Sequence, residues 1–217
     1  MRSWIGHLGT LCAVVTAGTC LAGCRGSAAP RTVDPSSAVL RIGVGPFSSS
    51  SPTQGLRQLI QNVSVEGLGR LNDDGRVEPF LAEKWELTNG GRSLTVAVKR
   101  GAKFQDASAV DAHAVVAALG DSLRASVGPL AEQIERVQAV DDETVQIDLK
   151  RSSPLLLESL EVLIRKPGQA SVATGPFMIT PGSTTALQAN SNYHRGRPNI
   201  GTITVQTFPS LRTAWRA

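Results

Sequence analysis

Cysteine is nearly absent from the stretch of this chain that is able to fold. The three cysteines of the 217 residues are Cys12, Cys20 and Cys24, all near the start. No disulfide framework is available, so stability must come from a packed apolar core. Histidine is equally sparse: His7, His113 and His194 lie far apart in sequence. With no CxxC pair either, the spacings of a metal site are missing, and neither a metal nor any other cofactor is expected. Basic residues are scattered, with no Lys/Arg run longer than Lys99-Arg100, Lys150-Arg151 or Arg165-Lys166. The sequence pI is near 9.3, but aromatics are only 4%. That composition describes a solvated mixed surface, and nucleic acid is not expected as a partner.

Catalytic signatures are missing as well. GxSxG, HExxH and SxxK do not occur. Asp73-Asp74 and Asp141-Asp142 have the composition of turns, and His113 borders an apolar helical stripe. Gly43-Val44-Gly45 lacks the third glycine and the helix start of a dinucleotide fingerprint. An enzyme needs a nucleophile–base pair or matched carboxylates in one pocket, and none is expected here.

What is present begins at the first residues. Arg2 is the only Lys or Arg before residue 24, no acid precedes it, and residues 8–21 are mostly apolar. This is the layout of a secretory signal, too short and too rich in Gly and Thr to span a membrane stably. Leu21-Ala22-Gly23-Cys24 closes it and resembles a bacterial lipobox. The reading is a signal peptide over residues 1–23 and a mature chain that begins at Cys24 and keeps 21 basic against 18 acidic residues. Residues 24–38 are rich in Gly, Ser, Ala and Pro and read as a lipidated flexible tether.

From Val39 onward, hydrophobic residues (41% of the chain) are patterned for a fold. Residues 39–44 have strand composition. Over residues 54–68, Leu56, Leu59, Ile60, Val63 and Gly67 fall at helical spacing. Asn72-Asp73-Asp74-Gly75 predicts a hairpin, residues 79–85 a single helical turn led by Pro79, and Asn89-Gly90-Gly91 a second hairpin. Asp111 starts a helix whose stripe is Val115, Val116, Leu119 and Leu123. Val145, Ile147 and Leu149 alternate with polar residues in a third hairpin around Asp141-Asp142-Glu143. Residues 154–163 predict a short apolar helix, and residues 175–180, 184–190 and 202–207 predict strands. Tyr193 and Trp85 read as core or turn packing. The class is α/β, a mixed sheet with hairpins.

Several of these segments, taken in order, resemble the family-5 extracellular solute-binding proteins, the peptide-binding receptors of ABC importers. Residues 68–85 (LGRLNDDGRVEPFLAEKW) match its "gL…d.dG.v.P.LAe.W" line. Val98-Lys99-Arg100-Gly101-Ala102-Lys103-Phe104-Gln105-Asp106 matches "LR.GvkF.DG". Asp141-Asp142-Glu143-Thr144-Val145 matches "vDd.TV". Thr174-Gly175-Pro176-Phe177 and Asn190–Pro198 (NSNYHRGRP) match "TGPf" and "N..YwrGrP". Ala107 stands where the family has glycine, so a tight turn there must avoid positive φ or adopt it with strain. Gln105 replaces a common His, and His194 a common Trp.

The resemblance implies a periplasmic-binding-protein-like fold (type II, cluster C). Residues 39–217 would be an incomplete domain comprising the accessory portion and part of one ligand lobe, with the second lobe missing. It implies a substrate-binding lipoprotein that captures peptides or similar small solutes for transmembrane transport, present here in truncated form. The partners would be the solute, ABC permease subunits and the membrane, reached through a diacylglyceryl group on Cys24; a monomer facing the periplasm or extracellular side is expected. The loop Gly45, Pro46, Phe47 and Ser48 is the expected ligand-facing segment, offering backbone groups to an extended peptide. The alternative is a short lipid-anchored interaction protein, or a vestigial one, that has lost solute binding.

Overall fold

The computed structural model describes residues 38–45 and 54–217. Cys24, the signal and tether segments, Pro46, Phe47 and Ser48 lie outside the described residues. The elements in chain order are β1 (Val39–Val44), α1 (Gln54–Ser64), β2 (Gly69–Leu71), β3 (Val77–Pro79), β4 (Ala82–Thr88), β5 (Ser93–Val98) and α2 (Ala112–Ser126). They continue with β6 (Ile134–Ala139), β7 (Thr144–Leu149), β8 (Arg165–Lys166), β9 (Gln169–Ala173), β10 (Phe177–Ile179), β11 (Ala186–Ala189), β12 (Thr202–Thr207) and α3 (Leu211–Trp215). Turns of 3-10 helix occupy Gly128–Gln133 and Pro154–Glu161.

Two four-stranded sheets carry the architecture. One is antiparallel throughout, in the order β4-β5-β7-β6. Its apolar residues, Leu94, Val96, Val145, Ile147 and Leu149, are buried together with the α2 stripe of Val115, Leu119 and Leu123. Alternation along β7 follows the period-2 pattern in the sequence, because successive strand side chains point to opposite faces. Asp111 caps α2 as expected, its carboxylate accepting the Ala114 N–H at 2.8 Å.

The other sheet runs β1-β12-β11-β10. Here β1 pairs in parallel with β12, Val39 opposite Thr202, while the remaining pairs are antiparallel. Phe177, Leu187, Ile203 and Val205 form its core, and the apolar face of α1 (Leu56, Leu59, Ile60, Val63) packs on them. The hairpins β2–β3 and β8–β9 complete the chain.

Three expectations are corrected. Residues 79–85 are not a helical turn: Pro79 closes β3 and β4 begins at Ala82. The Leu68 carbonyl accepts N–H groups from both Phe80 and Ala82, and the Leu81 carbonyl accepts from Lys99, so cross-strand partners claim what a helix would use internally. The first helix ends at Ser64 rather than near Leu68. Its Ser64 carbonyl is taken by Gly175 and by the Gln105 amide, which ends the i to i+4 ladder. Residues 154–161 form 3-10 rather than α-helix, capped by the Ser153 hydroxyl accepting from Leu155 N–H.

At Ala107 the chain adopts the strained option, with φ of 68°. Its N–H donates to the Phe104 carbonyl, and Asp106 Oδ1 accepts from the Ser108 N–H and hydroxyl, so the turn has no freedom to relax. A left-handed residue with a Cβ costs roughly 1–2 kcal/mol, part of which glycine returns through unfolded-state entropy. Ala107→Gly should therefore stabilise the fold by about 1 kcal/mol, read as a rise of roughly 2–4 °C in thermal midpoint. An unchanged or lowered midpoint contradicts this.

Candidate functional site

Several buried hydrogen bonds converge where α1 ends. The Ser64 carbonyl accepts the Gly175 N–H at 2.9 Å and the Gln105 side-chain amide at 3.0 Å. That same amide nitrogen donates to the Phe177 carbonyl at 2.8 Å, while Gln105 Oε1 accepts the Ala173 N–H at 3.1 Å. Gln105 thus joins three strands of chain with one buried side chain. Asn190, also buried, donates to the Gly175 carbonyl. The Thr174 hydroxyl accepts the Glu66 N–H.

Glu66 is 6% exposed and is the buried carboxylate of this junction. Its Oε1 accepts the Tyr193 hydroxyl at 2.5 Å, and its Oε2 lies 2.8 Å from His194 Nε2. Burial, then the bond to Glu66, pushes the Tyr193 phenol well above its usual range, so it stays a donor. Tyr193 therefore does more than the packing its sequence position suggested.

Two clefts flank this junction and share Gln61 and Val65 in their walls. One, of about 560 Å³, is bounded by Glu66, Tyr193, Glu161 and the Phe80 ring. The guanidinium carbons of Arg70 and Arg195 lie 4.8 and 5.0 Å from that ring's centroid. Its charges are balanced between the two arginines and the two glutamates. The other cleft, of about 350 Å³, has Arg57 and Arg165 in its wall beside Ile60, Ile179 and Ser64. No carboxylate is among its lining residues. Burial lowers the Arg165 pKa from its ordinary value, and Arg165 Nη1 donates to the Ala170 carbonyl across the β8–β9 hairpin. Next to it, Lys166 pairs with Asp106, a bond that together with Ser108 holds the Asp106 carboxyl down at about 2.

Of the expected ligand-facing loop, Gly45 is described, and it follows β1 directly. A Cβ there would meet the Leu211 backbone nitrogen at 2.9 Å, so close packing against α3 accounts for this glycine. Trp85 packs against the larger core as expected. His113 is exposed and lies 3.5 Å from Asp142 at the surface. Sequence reasoning missed Glu66, Arg57 and Arg165. The only charged residue in the Val63–Leu68 stretch was a signal for the first, and Pro167-Gly168 marked the unread turn that positions Arg165. Among the described residues no cluster of metal-ligating side chains is found, and no helix is long and apolar enough to cross a membrane.

Comparison with known proteins adds a lineage to this geometry. Residues 76–217 match the model for bacterial extracellular solute-binding proteins, family 5 Middle. The nickel-binding periplasmic protein of Escherichia coli is 26% identical over 194 residues, which cover 79% of this chain and 37% of that protein. The oligopeptide-binding protein AppA of Bacillus subtilis is 26% identical over 198 residues, covering 77% of this chain and 36% of that protein. Among solved structures, NikA from Brucella suis in complex with Fe(III)-EDTA superposes with a TM-score of 0.68 at 28% identity, covering 81% of this chain and 40% of that chain. The chain thus spans a little over a third of the length of these curated relatives.

Proposed function

The chain belongs to the bacterial extracellular solute-binding proteins of family 5, and from that premise we propose that it is the substrate-binding lipoprotein component of an ABC importer. The observation that carries this reading is the match over residues 76–217, supported by the two clefts at the Ser64–Gly175 junction. The role is capture, not catalysis. The solute is a peptide or a similar small molecule, in keeping with relatives named for nickel, oligopeptides and glutathione. Residues 1–23 direct export, Cys24 carries the lipid, residues 24–38 form the tether, and the loop Gly45, Pro46, Phe47 and Ser48 lines the solute path. The lipid places the protein on the outer side of the membrane, where a second acyl chain makes the anchorage stable. Binding shifts the receptor toward the state its permease recognises, by as much as the solute favours that state.

The test uses the protein produced from its own gene in its source cells. Wild type should partition into the detergent phase, and Cys24→Ser into the aqueous phase. Wild type should also gain thermal stability with at least one member of a panel of di- to pentapeptides, glutathione and nickel chelates. Detergent partitioning with no response to any solute favours an interaction lipoprotein instead. Aqueous partitioning of the wild type removes the lipid anchor.

A further inference from the structure

The cleft lined by Arg57 and Arg165 carries two cations and, among its described lining residues, no carboxylate. Arg57 is exposed on α1, and Arg165 is half-buried in the β8–β9 hairpin. Neither forms a salt bridge among the described residues, where the nearby Lys166 and Asp106 already satisfy each other. Arg165 spends one donor on the Ala170 carbonyl, which fixes its plane and leaves the rest of the fork for another partner. Ser64 is also in this wall, and its hydroxyl is buried with no hydrogen-bond partner among the described residues. Buried polar groups are normally paired, and an orphan of this kind marks a place where something else completes the structure. Two cations facing one space repel, and desolvating a guanidinium is costly unless an anion compensates it. Ile60, Val65 and Ile179 give the wall an apolar side, and Gln61, Gln105 and Ser171 add uncharged polar groups. A volume of about 350 Å³ lies within the range of small-molecule sites.

We infer that this cleft seats the oxyanion end of an anionic solute, a carboxylate or a phosphate, gripped by Arg165 and Arg57 with the solute's apolar part against Ile60 and Ile179. The inference rests on the solute-binding reading and specifies its substrate class. Guanidinium suits this task because its planar fork matches two oxygens at once, which a lysine ammonium does not. The 560 Å³ cleft has its arginines stacked on Phe80 and matched by Glu66 and Glu161, so it offers no comparable excess of positive charge.

Calorimetric titration of the natively expressed protein with triglutamate, with C-terminally amidated trialanine and trilysine, which carry no carboxylate, and with inorganic phosphate tests this. Triglutamate should bind about tenfold or more tightly than trialanine, trilysine should not bind, and raising salt from about 50 to 500 mM should weaken triglutamate selectively. Arg165→Gln should lower triglutamate affinity about tenfold or more while leaving trialanine within about twofold. Arg57→Gln, an exposed change on α1, should act in the same direction with the thermal midpoint unchanged. Phosphate that displaces triglutamate identifies a general oxyanion seat, and phosphate that does not restricts the seat to carboxylates; both support the inference. Equal affinity for the three peptides, or an anion preference that survives both substitutions, overturns it while the solute-binding function stands. Binding of none of the probes overturns the inference, and silence across the wider solute panel removes the function as well.

Discussion

Gly175→Ala is expected to cost roughly 3 kcal/mol or more and to leave the protein unfolded or grossly weakened at moderate temperature. A Cβ at position 175 would lie 2.4 Å from the Ser64 carbonyl carbon, 2.6 Å from its oxygen and 2.8 Å from the Val65 nitrogen. All three are backbone atoms, so no rotamer change relieves the clash. Moving the backbone breaks the 2.9 Å bond from Gly175 N–H to Ser64 and pulls on the bonds that Gln105 makes to Ser64, Ala173 and Phe177. Both clefts share walls with this contact and should be lost together. Gly120→Ala supplies the control, because the same methyl group at exposed Gly120 in α2 meets nothing within 4 Å. That change should stabilise by about 0.5–1 kcal/mol through helix propensity. Chemical denaturation of the two variants reads opposite signs for one chemical change. A Gly175→Ala midpoint within experimental error of wild type sinks the close-approach account.

Glu66→Ala is the second large effect, about 3–5 kcal/mol of destabilisation. The substitution removes the acceptor of the Tyr193 hydroxyl and the partner of His194 Nε2, in a place where the His194 and Glu66 side chains are 2% and 5% exposed. His194 Nδ1 already has no partner among the described residues, so the ring would then be buried with both nitrogens unsatisfied. Glu66→Gln keeps the shape and one acceptor oxygen and should cost distinctly less, about 1–2 kcal/mol. If the loss arises from stranded polar groups, replacing His194 by Phe in the Glu66→Ala background should recover part of it. Urea denaturation of the single and double variants gives a coupling energy, expected above about 1 kcal/mol. Additive effects would show that Glu66 and His194 act independently.

The hairpins were legible in the sequence because their information is local. Asp73-Asp74-Gly75, Asn89-Gly90-Gly91 and Asp141-Asp142-Glu143 each sit between segments of strand composition, and each opens the pairing that was expected. The cap at Asp111 and the α2 stripe were readable for the same reason. At Ala107 the sequence left two options, avoiding positive φ or adopting it with strain, and the fold takes the second. The start of β4 was not legible, since Pro79 followed by residues of helical propensity is a good helix opening taken alone. Its extended form comes from Leu68, whose carbonyl captures the Phe80 and Ala82 N–H groups from twelve and fourteen positions away.

The order of residues was enough for the family, the α/β class, the three hairpin turns at Gly75, Gly90-Gly91 and Asp141-Asp142, and the apolar faces of α1, α2 and β7. Turns and faces are set by neighbours a few positions apart, and the family by their succession along the chain. Tertiary structure alone decided three other things. It paired Val39 with Thr202 in parallel, it placed Glu66 against Tyr193 and His194, and it set Arg57 and Arg165 in one wall. These contacts join residues more than a hundred positions apart, and no local preference encodes them. They form because two apolar layers must close on each other, and that closure fixes which polar groups are left facing one another.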